Sequence, residues 1–384
     1  MTNPVYIRRL AAFLPGEPID NERMESLLGQ IDQRPSRARR LVLRNNGITT
    51  RYYALDPATG RPTHNNAQLT AEAVHLLADA GLDLDQLDVL ACGTSSPDQL
   101  MPNHAVMVHG ELGNPPCEVS SSAGVCVAGV TALKYAAMTI ALGTARTAVA
   151  TGSEIASTFM QGKYFRGEND ARVAAMEQNP EIAFEKDFLR WMLSDGAGAV
   201  WLSPDPGDGL ALRLDWIEQR SFANELPACM YAGARKREDG TLEGWREVGS
   251  MQEVVDDSLF AVKQDVRLLN EHIVEYTVER MLPYVRARHP LHPADVDWFL
   301  PHYSSRYFRD RLAAGLRRAD FEIPQERWFT NLPWVGNVGS ASIYLMLEEL
   351  QRSGRLQPGQ TVLCHVPESG RFSSAFMQLT AVTP

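Results

Sequence analysis

The chain has 384 residues, 44% of them hydrophobic and 22% charged, with a formal net charge of −10. This length suits two domains or one large one, and the composition excludes a disordered or low-complexity protein. The acidic balance argues against nucleic acid as the main partner, because contacts to phosphate require a basic surface.

The cysteines and the apolar segments predict a cellular location. Five cysteines occur at scattered spacings without a CxxC pair, which argues against a disulfide framework or a zinc site. No apolar run reaches the roughly 18 residues of a membrane span, and the N-terminus lacks the cleavage site of a signal peptide. We therefore expect a cytoplasmic protein with free thiols and no membrane partner.

Strand-like and helix-like segments alternate along the chain. Short apolar runs predict strands over 87–92, 147–151 and 198–202, and apolar residues at helical spacing predict a helix over 125–142. Strands separated by helices of this length indicate an α/β fold with buried sheets. The charged stretch 161–190 predicts a helical insertion, either a cap over a binding site or a pair of surface helices.

The spacing of two helices suggests an internal repeat. Cys126 precedes a helix that ends at Gly143, and Asn337 opens a similar helix that ends at Gly354, 17 residues on in each case. The offset between Cys126 and Asn337 is 211, and at this offset the strand-like run 296–302 falls near the first strand. We predict two similar halves, 1–205 and 206–384.

Cys126 is the candidate nucleophile. It lies in SSSAGVCVAG, with small residues on both sides and a predicted helix beginning beside it. At a helix N-terminus, the macrodipole and unpaired N–H groups favour a thiolate, and the backbone N–H can face a developing oxyanion. The alternative is a buried structural cysteine, which a lone cysteine more often is.

His302 and Asn337 are candidate donors to a carbonyl oxygen. His302 follows an apolar strand in FLPHYSSRYF, and Asn337 lies among glycines in VGNVGSAS. The alternatives are a hydrogen-bonded structural histidine and a turn asparagine. Together with Cys126, the two residues suit an enzyme that holds one acyl group on sulfur. Histidine and asparagine would then hold the oxygen of a second thioester while its α-carbon becomes an enolate.

Seven segments in order support this interpretation: NNGITTRYYA, GTSSPDQLMPNHA, VCVAG, TGSE, SDGAGAV, FLPHYSSRYF and VGNVGSAS. They resemble motifs of the β-ketoacyl-acyl-carrier-protein synthase III group of the thiolase superfamily. The resemblance implies a thiolase-like αβαβα fold, a homodimer, Cys126 as nucleophile, and His302 and Asn337 as donors to the thioester oxygen. PESGRFSS resembles the family's C-terminal glycine loop, which implies the N–H groups of Cys126 and Gly370 as oxyanion donors.

Some segments depart from the family pattern. RPSRARRLVLR stands where the family has a tryptophan segment that contacts coenzyme A, which favours delivery by a carrier protein. Tyr303, Ser304 and Ser305 replace the family's residues after the histidine, so we expect the second substrate to be handled differently. With the long insertion, these features resemble a secondary-metabolism subgroup that joins two acyl chains and closes a cyclohexanedione ring.

Charged residues add candidates for two further roles. Glu154 ends a predicted strand near the site, where a desolvated carboxylate could take a proton from an α-carbon, or could be a structural glutamate. Glu118 is a weaker candidate for the same base. A basic cluster after His302 could dock an acidic carrier protein or form a solvated helix face; we single out Arg306, Arg309, Arg317 and Arg318.

The sequence thus predicts a ketosynthase that condenses an acyl group on Cys126 with a β-ketoacyl thioester and closes a 1,3-cyclohexanedione. We expect no metal or organic cofactor, since the substrates arrive on the phosphopantetheine of acyl carrier protein or coenzyme A. Alternatives are an initiating synthase that uses malonyl-carrier protein and an acyltransferase on the same fold. A non-catalytic protein that binds acyl carrier protein is the alternative outside the enzymes.

Overall fold

The computed structural model describes residues 3–31, 33, 35–36, 39–165 and 189–383. The strands are β1 (Tyr6–Phe13), β2 (Ile19–Asp20), β3 (Thr50–Arg51), β4 (Val89–Thr94), β5 (Glu118–Ala123), β6 (Ala148–Glu154), β7 (Gly196–Ser203), β8 (Ala211–Ser221), β9 (Met230–Tyr231), β10 (Ala234–Lys236), β11 (Leu242–Gly244), β12 (Lys263–Gln264), β13 (Trp298–Pro301), β14 (Thr361–Glu368) and β15 (Ser373–Val382).

The α-helices are α1 (Met24–Leu28), α2 (Arg39–Asn46), α3 (Asn66–Asp79), α4 (His104–Leu112), α5 (Val127–Leu142), α6 (Ala156–Phe159), α7 (Met251–Asp256), α8 (Val266–Val274), α9 (Met281–Arg286), α10 (Tyr307–Arg318), α11 (Leu332–Val335) and α12 (Ser342–Arg352). A π-helical turn, Glu275–Glu279, joins α8 to the segment before α9. None of the described helices combines the length and apolar character needed to cross a bilayer.

Nine strands form one mixed sheet, in the order β13-β14-β15-β8-β1-β7-β6-β4-β5. Outward from the central pair β1 and β8, each side has two antiparallel pairings followed by a parallel one. Where the first side continues with β5, the second has an isolated parallel bridge between Phe299 and Trp328. The strands thus form two series, β1-β7-β6-β4-β5 before the loop 204–210 and β8-β15-β14-β13 after it, with the same pattern of parallel and antiparallel pairing. The division into halves 1–205 and 206–384 stays a prediction.

The helices pack in layers against these strands. α3 lies on β1, β6 and β7, and α4 on β4 and β5. α5 contacts β4, β5 and β6 and also reaches β14 and β15, whereas α12 packs on β1, β7 and β13, so both helices lie between the two series. The π-helical turn packs on β15 and contacts α8 and α10. This arrangement confirms the predicted mixed α/β fold with layers in the order αβαβα.

The predicted elements occur with small changes in their bounds. The strands predicted over 87–92, 147–151 and 198–202 are β4, β6 and β7, and the helix predicted from residue 125 begins at Val127. The insertion predicted over 161–190 falls mostly outside the described residues. At its described ends, Gly162–Phe165 forms a 3₁₀ turn and residues 189–190 are helical.

A close approach of two backbones fixes the turn that follows Asn337. A Cβ atom at Gly129 of α5 would lie 2.2 Å from the carbonyl oxygen of Ser340, and one at Gly152 of β6 would lie 2.4 Å from it. The Ser340 hydroxyl also donates to the carbonyl oxygen of Gly93, at 3.2 Å. Because only glycine leaves this space open, these positions bring the Asn337 turn against the helix that begins beside Cys126.

Gly129→Ala should therefore destabilise the fold, by about 2 kcal/mol or more, since the new methyl group must displace a backbone carbonyl. Gly110→Ala is the matched control, because Gly110 also lies in a helix but a Cβ there meets nothing within 4 Å. Its helix should gain stability, by up to about 1 kcal/mol. Urea unfolding of both variants measures the difference, and equal midpoints would contradict the packing described here.

Candidate active site

Cys126 lies where β5 turns into α5. It is the residue immediately before Val127, at the N-terminus of the helix, and it is half-buried. The turn passes beside the helix at Gly124, where a Cβ would lie in ordinary van der Waals contact, 3.5 Å from the Cβ of Ala128. The chain reversal between a sheet strand and a buried helix therefore sets the position of the thiol.

Two cavities meet at Cys126. The larger, of about 320 Å³, is also lined by Glu154, Asn337 and apolar side chains such as Phe159 and Met192. The smaller, of about 60 Å³, contains His302 and is otherwise mainly apolar. Cys126, Ser304 and Ser369 line both. The structure thus brings Cys126 beside Asn337 in one cavity and beside His302 in the other.

His302 follows β13, and its backbone N–H donates to the carbonyl oxygen of His365 at 2.8 Å. The side chain is only 4% exposed, and this burial lowers the pKa of His302 to about 4. The imidazole is therefore neutral near pH 7, so one ring nitrogen carries a proton and can donate it in a hydrogen bond. This state suits the predicted role as a donor to a thioester oxygen.

The backbone of Asn337 is held from both sides. Its N–H donates to the carbonyl oxygen of Met192, at 3.0 Å, and its carbonyl oxygen accepts from Ser194 N–H, at 2.9 Å. The side-chain oxygen Oδ1 accepts from the N–H of Gly339, at 3.0 Å. Because Oδ1 is engaged, the NH₂ group is the part of the side chain that can donate to a substrate oxygen.

The thiol of Cys126 differs from its expected state. Removal from solvent raises the pKa of the Cys126 thiol well above its ordinary value, and the carboxylates of Glu368 and Glu154 raise it further. The hydrogen bond from its own backbone N–H acts in the opposite direction but is outweighed. The expectation that the helix N-terminus favours a resting thiolate is therefore wrong, and the resting residue is a protonated thiol.

Glu154 lies at the end of β6, in the wall of the larger cavity, and is only 4% exposed. Its Oε1 accepts from the backbone N–H groups of Ser95 and Ser340, at 3.1 and 3.2 Å. Its Oε2 accepts from the hydroxyls of Ser95 and Ser96, at 2.6 and 2.8 Å. Burial raises the pKa of Glu154, while these bonds oppose the rise. The contacts of this carboxylate tie β6 to the turn after Asn337.

Gly370 lies beside the nucleophile turn, because a Cβ there would lie 3.3 Å from a methyl carbon of Val125. Its carbonyl oxygen accepts from the N–H groups of Cys229 and Met230, at 2.9 and 3.2 Å, which fixes the loop. Its role as an oxyanion donor stays a prediction. Glu118, the weaker base candidate, is exposed at the start of β5, lines neither cavity and accepts a hydrogen bond from Tyr135.

The four arginines predicted to dock a carrier protein lie on and beside α10. Arg318 forms an ion pair with Glu279, at 2.6 Å, and Arg317 pairs with Glu322, at 3.6 Å. The guanidinium of Arg309 donates to Gln325 at 2.9 Å, whereas Arg306 is held by its backbone N–H, which donates to the carbonyl oxygen of Asn46. Their role in carrier binding stays a prediction.

Sequence reasoning missed Glu368, His365 and Ser369. His365 lines the smaller cavity beside His302, and its Nε2 lies 3.1 Å from the carbonyl oxygen of Thr277. Glu368 accepts hydrogen bonds from the turn that carries Cys126. The sequence signal that could have identified Glu368 is its position inside PESGRFSS, the segment that resembles the family's glycine loop.

Comparisons with known proteins bear on this site. The family model described as 3-oxoacyl-[acyl-carrier-protein (ACP)] synthase III C terminal matches residues 287–370. A β-ketoacyl-[acyl-carrier-protein] synthase III from Xanthomonas oryzae is 25% identical over 368 residues, covering 94% of this chain and 95% of the relative. The enzyme of the same name from Rhodospirillum rubrum is 27% identical, covering 96% and 97%.

Solved structures share the fold over nearly the whole chain. AbyA1, a tetronic acid condensing enzyme, superposes with a TM-score of 0.73 at 21% identity, covering 98% of this chain and 99% of that one. Xanthomonas campestris OleA with bound lauric acid and lauroyl-CoA gives 0.73 at 18% identity, covering 99% and 100%. The solved structures thus show that the chain has their fold, and the family model and the curated relatives show that it is similar in sequence to β-ketoacyl-[acyl-carrier-protein] synthases III.

Proposed function

We propose that this enzyme joins two acyl chains by a Claisen condensation between an acyl group on Cys126 and a β-ketoacyl thioester, and then closes a 1,3-cyclohexanedione. The observation that carries the proposal is the position of Cys126 at the junction of two cavities. A nucleophile reached from two sides can hold one chain while a second chain approaches.

The first step is a thioester exchange. The sulfur of Cys126 attacks the acyl carbonyl carbon, and the N–H groups of Cys126 and Gly370 hold the oxyanion. The bond to the carrier thiol breaks, and the proton that Cys126 loses ends on that leaving thiol. Because the resting thiol is protonated, its proton must move in the same step, and a raised thiol pKa is compatible with this balance.

The second step forms a carbon–carbon bond. His302 and Asn337 donate to the thioester oxygen of the β-ketoacyl substrate, which stabilises the carbanion formed when its α-carbon loses a proton. The carbanion attacks the acyl carbon, the bond to Cys126 breaks, and the proton lost from the α-carbon ends on the released Cys126 thiol. A second carbanion, formed when a carbon of the joined chain loses a proton, then attacks the carrier thioester carbonyl, and the carrier thiol leaves with that proton as the ring closes.

The named relatives support this choice of substrates. The curated relatives are named β-ketoacyl-[acyl-carrier-protein] synthase III, which supports delivery of the acyl groups by acyl carrier protein. AbyA1 is a condensing enzyme for tetronic acid, and the OleA structure holds lauric acid and lauroyl-CoA. By analogy, we propose that this chain carries out a condensation in secondary metabolism on acyl thioester substrates and needs no further cofactor. We propose the arginines on and beside α10 as the docking face for the carrier protein.

The sheet edge supports a homodimer. β5 is the last strand of the nine-stranded sheet and pairs only with β4 among the described strands. An unpaired edge is a template for a second copy, and α5, which contacts β5, exposes Met138 and Leu142.

Light scattering after size exclusion should therefore give twice the chain mass. We expect Ser121→Pro, which places a residue without an N–H in this edge, to shift the protein toward monomer. The control variant is Ser353→Ala, at the exposed end of α12, which should leave the mass unchanged. Ser95→Pro would not serve as a control, because the N–H of Ser95 donates to Glu154. A monomeric wild type would contradict the dimer.

The roles of the site residues can be separated by substitution. Cys126→Ala should abolish acylation, because no thioester can form. His302→Ala and Asn337→Ala should still acylate but lose condensation by about 100-fold or more, the scale of losing one donor to a developing oxyanion. Intact-protein mass measures acylation, and product mass measures condensation.

Cys117→Ala is the matched control for these variants, because Cys117 is half-buried but lines neither cavity. It should retain both activities. Full condensation by any of the three site variants would contradict the proposed roles.

The second substrate distinguishes the ring-forming reaction from the alternative of an initiating synthase that uses malonyl-carrier protein. With a β-ketoacyl substrate we expect a product free of carrier, formed without CO₂, because the Cys126 thiol leaves in the condensation and the carrier thiol leaves when the ring closes. Mass spectrometry of the product and CO₂ measurement test this. Condensation only with a malonyl donor, with CO₂ released, would contradict the ring-forming proposal and favour the initiating synthase.

A further inference from the structure

Glu368 connects two distant parts of the chain at the nucleophile. It is the last residue of β14, and its Oε2 accepts the backbone N–H groups of Val125 and Val127, each at 3.0 Å. These two donors flank Cys126. The side chain of Cys126 does not cap α5, so Glu368 supplies the acceptor that the first N–H groups of this helix need.

The loop after Glu368 carries the second predicted oxyanion donor. A Cβ at Gly370 would lie 3.5 Å from Oε1 of Glu368 and 3.3 Å from the side chain of Val125. The same carboxylate thus lies against both segments of the proposed oxyanion site, which are the turn before α5 and the loop after β14. Their relative position depends on this one side chain.

The other carboxylate near the thiol is arranged differently. Glu154 accepts four hydrogen bonds, all from Ser95, Ser96 and Ser340, and none of them comes from the turn at Cys126. Its contacts position the Asn337 turn instead. Glu368 is therefore the carboxylate whose removal should affect the Cys126 turn directly.

We propose that Glu368 is a positioning residue for acyl transfer. Its carboxylate holds the turn at Cys126 against the loop at Gly370, so that the N–H groups of Cys126 and Gly370 face one oxygen. This role rests on the proposed function, since that oxygen belongs to the acyl thioester. The hydrogen bonds that Glu368 accepts and the negative charge that it places near the thiol do not depend on the proposed function.

The charge has a second, measurable effect. The titratable groups around the thiol are Glu368 at the end of β14, Glu154 at the end of β6, the histidines His302 and His365, and the phenols of Tyr231 and Tyr303 in the cavity walls. The histidines are neutral near pH 7, because burial lowers the pKa of His302 to about 4 and that of His365 to about 3. A negative charge beside the thiol disfavours thiolate, so removing it should shift thiol reactivity to lower pH.

The experiment compares Glu368→Gln with Glu368→Ala. Glutamine keeps an oxygen that can accept the two N–H groups but carries no charge, whereas alanine removes both. Two readouts are needed: iodoacetamide alkylation of Cys126 against pH, by peptide mass, and the acylation rate with an acyl-carrier-protein donor, by intact mass. Glu348→Gln is the matched control, a half-buried carboxylate that pairs with Arg352 outside the site.

We expect Glu368→Gln to lower the alkylation midpoint by about 1 pH unit while acylating within about fivefold of the wild type. Glu368→Ala should lose acylation by about tenfold or more, and Glu348→Gln should change neither readout. An unmoved midpoint in Glu368→Gln, or equal acylation by the alanine and glutamine variants, would overturn the proposal.

Failure of the proposed function has a different signature. A wild-type enzyme that takes no acyl group from any donor overturns acyl transfer and, with it, the oxyanion role of Glu368. The alkylation profiles do not depend on a donor, so a lowered midpoint in Glu368→Gln would still support the placement of its charge beside the thiol. Circular dichroism of each variant confirms that the fold is intact.

Discussion

The site depends on one close approach between backbones. The carbonyl of Ser340 lies against Gly129 of α5 and Gly152 of β6, at distances that no side chain could occupy. Ser340 N–H also donates to Glu154, so the turn that carries Asn337 is fixed to the first series of strands although it comes from the second. Together with the hydrogen bonds of Asn337 to Met192 and Ser194, this contact fixes the relative position of two candidate residues, Cys126 and Asn337, that are 211 residues apart in sequence. The glycines at this junction therefore help to position the proposed nucleophile and the proposed donor.

The electrostatics of the thiol follow from the same packing. Residues from β6, from β14 and from the segment after β13 converge on Cys126, and they desolvate its thiol while bringing two carboxylates near the sulfur. Burial raises the pKa of the thiol and lowers the pKa of His302, so both are neutral in the resting site. Thioester exchange tolerates this state, because the proton lost by one thiol is gained by another. A protected thiol beside a neutral donor suits an enzyme that reacts only when a substrate fills the site.

Much of this arrangement could be predicted from local sequence. Apolar runs located β4, β6 and β7 within a few residues, and the glycine-rich turns around Cys126 and Asn337 marked chain reversals. The state of the thiol could not be predicted, since it depends on burial and on a carboxylate 243 residues from Val125. The four donors around Glu154 were also hidden, because serines of β4's loop and of the Asn337 turn meet only in the folded chain.

The most direct test of the account follows the mass of the intact wild-type enzyme through one turnover. An acyl-carrier-protein donor is added first, excess donor is removed, and a β-ketoacyl thioester follows. The account predicts a mass increase of one acyl group, located on Cys126 by peptide mapping, which the second substrate discharges into a product containing both chains. An enzyme that gains no acyl group from any donor, or whose acyl group is released only as free acid, would contradict the central claim.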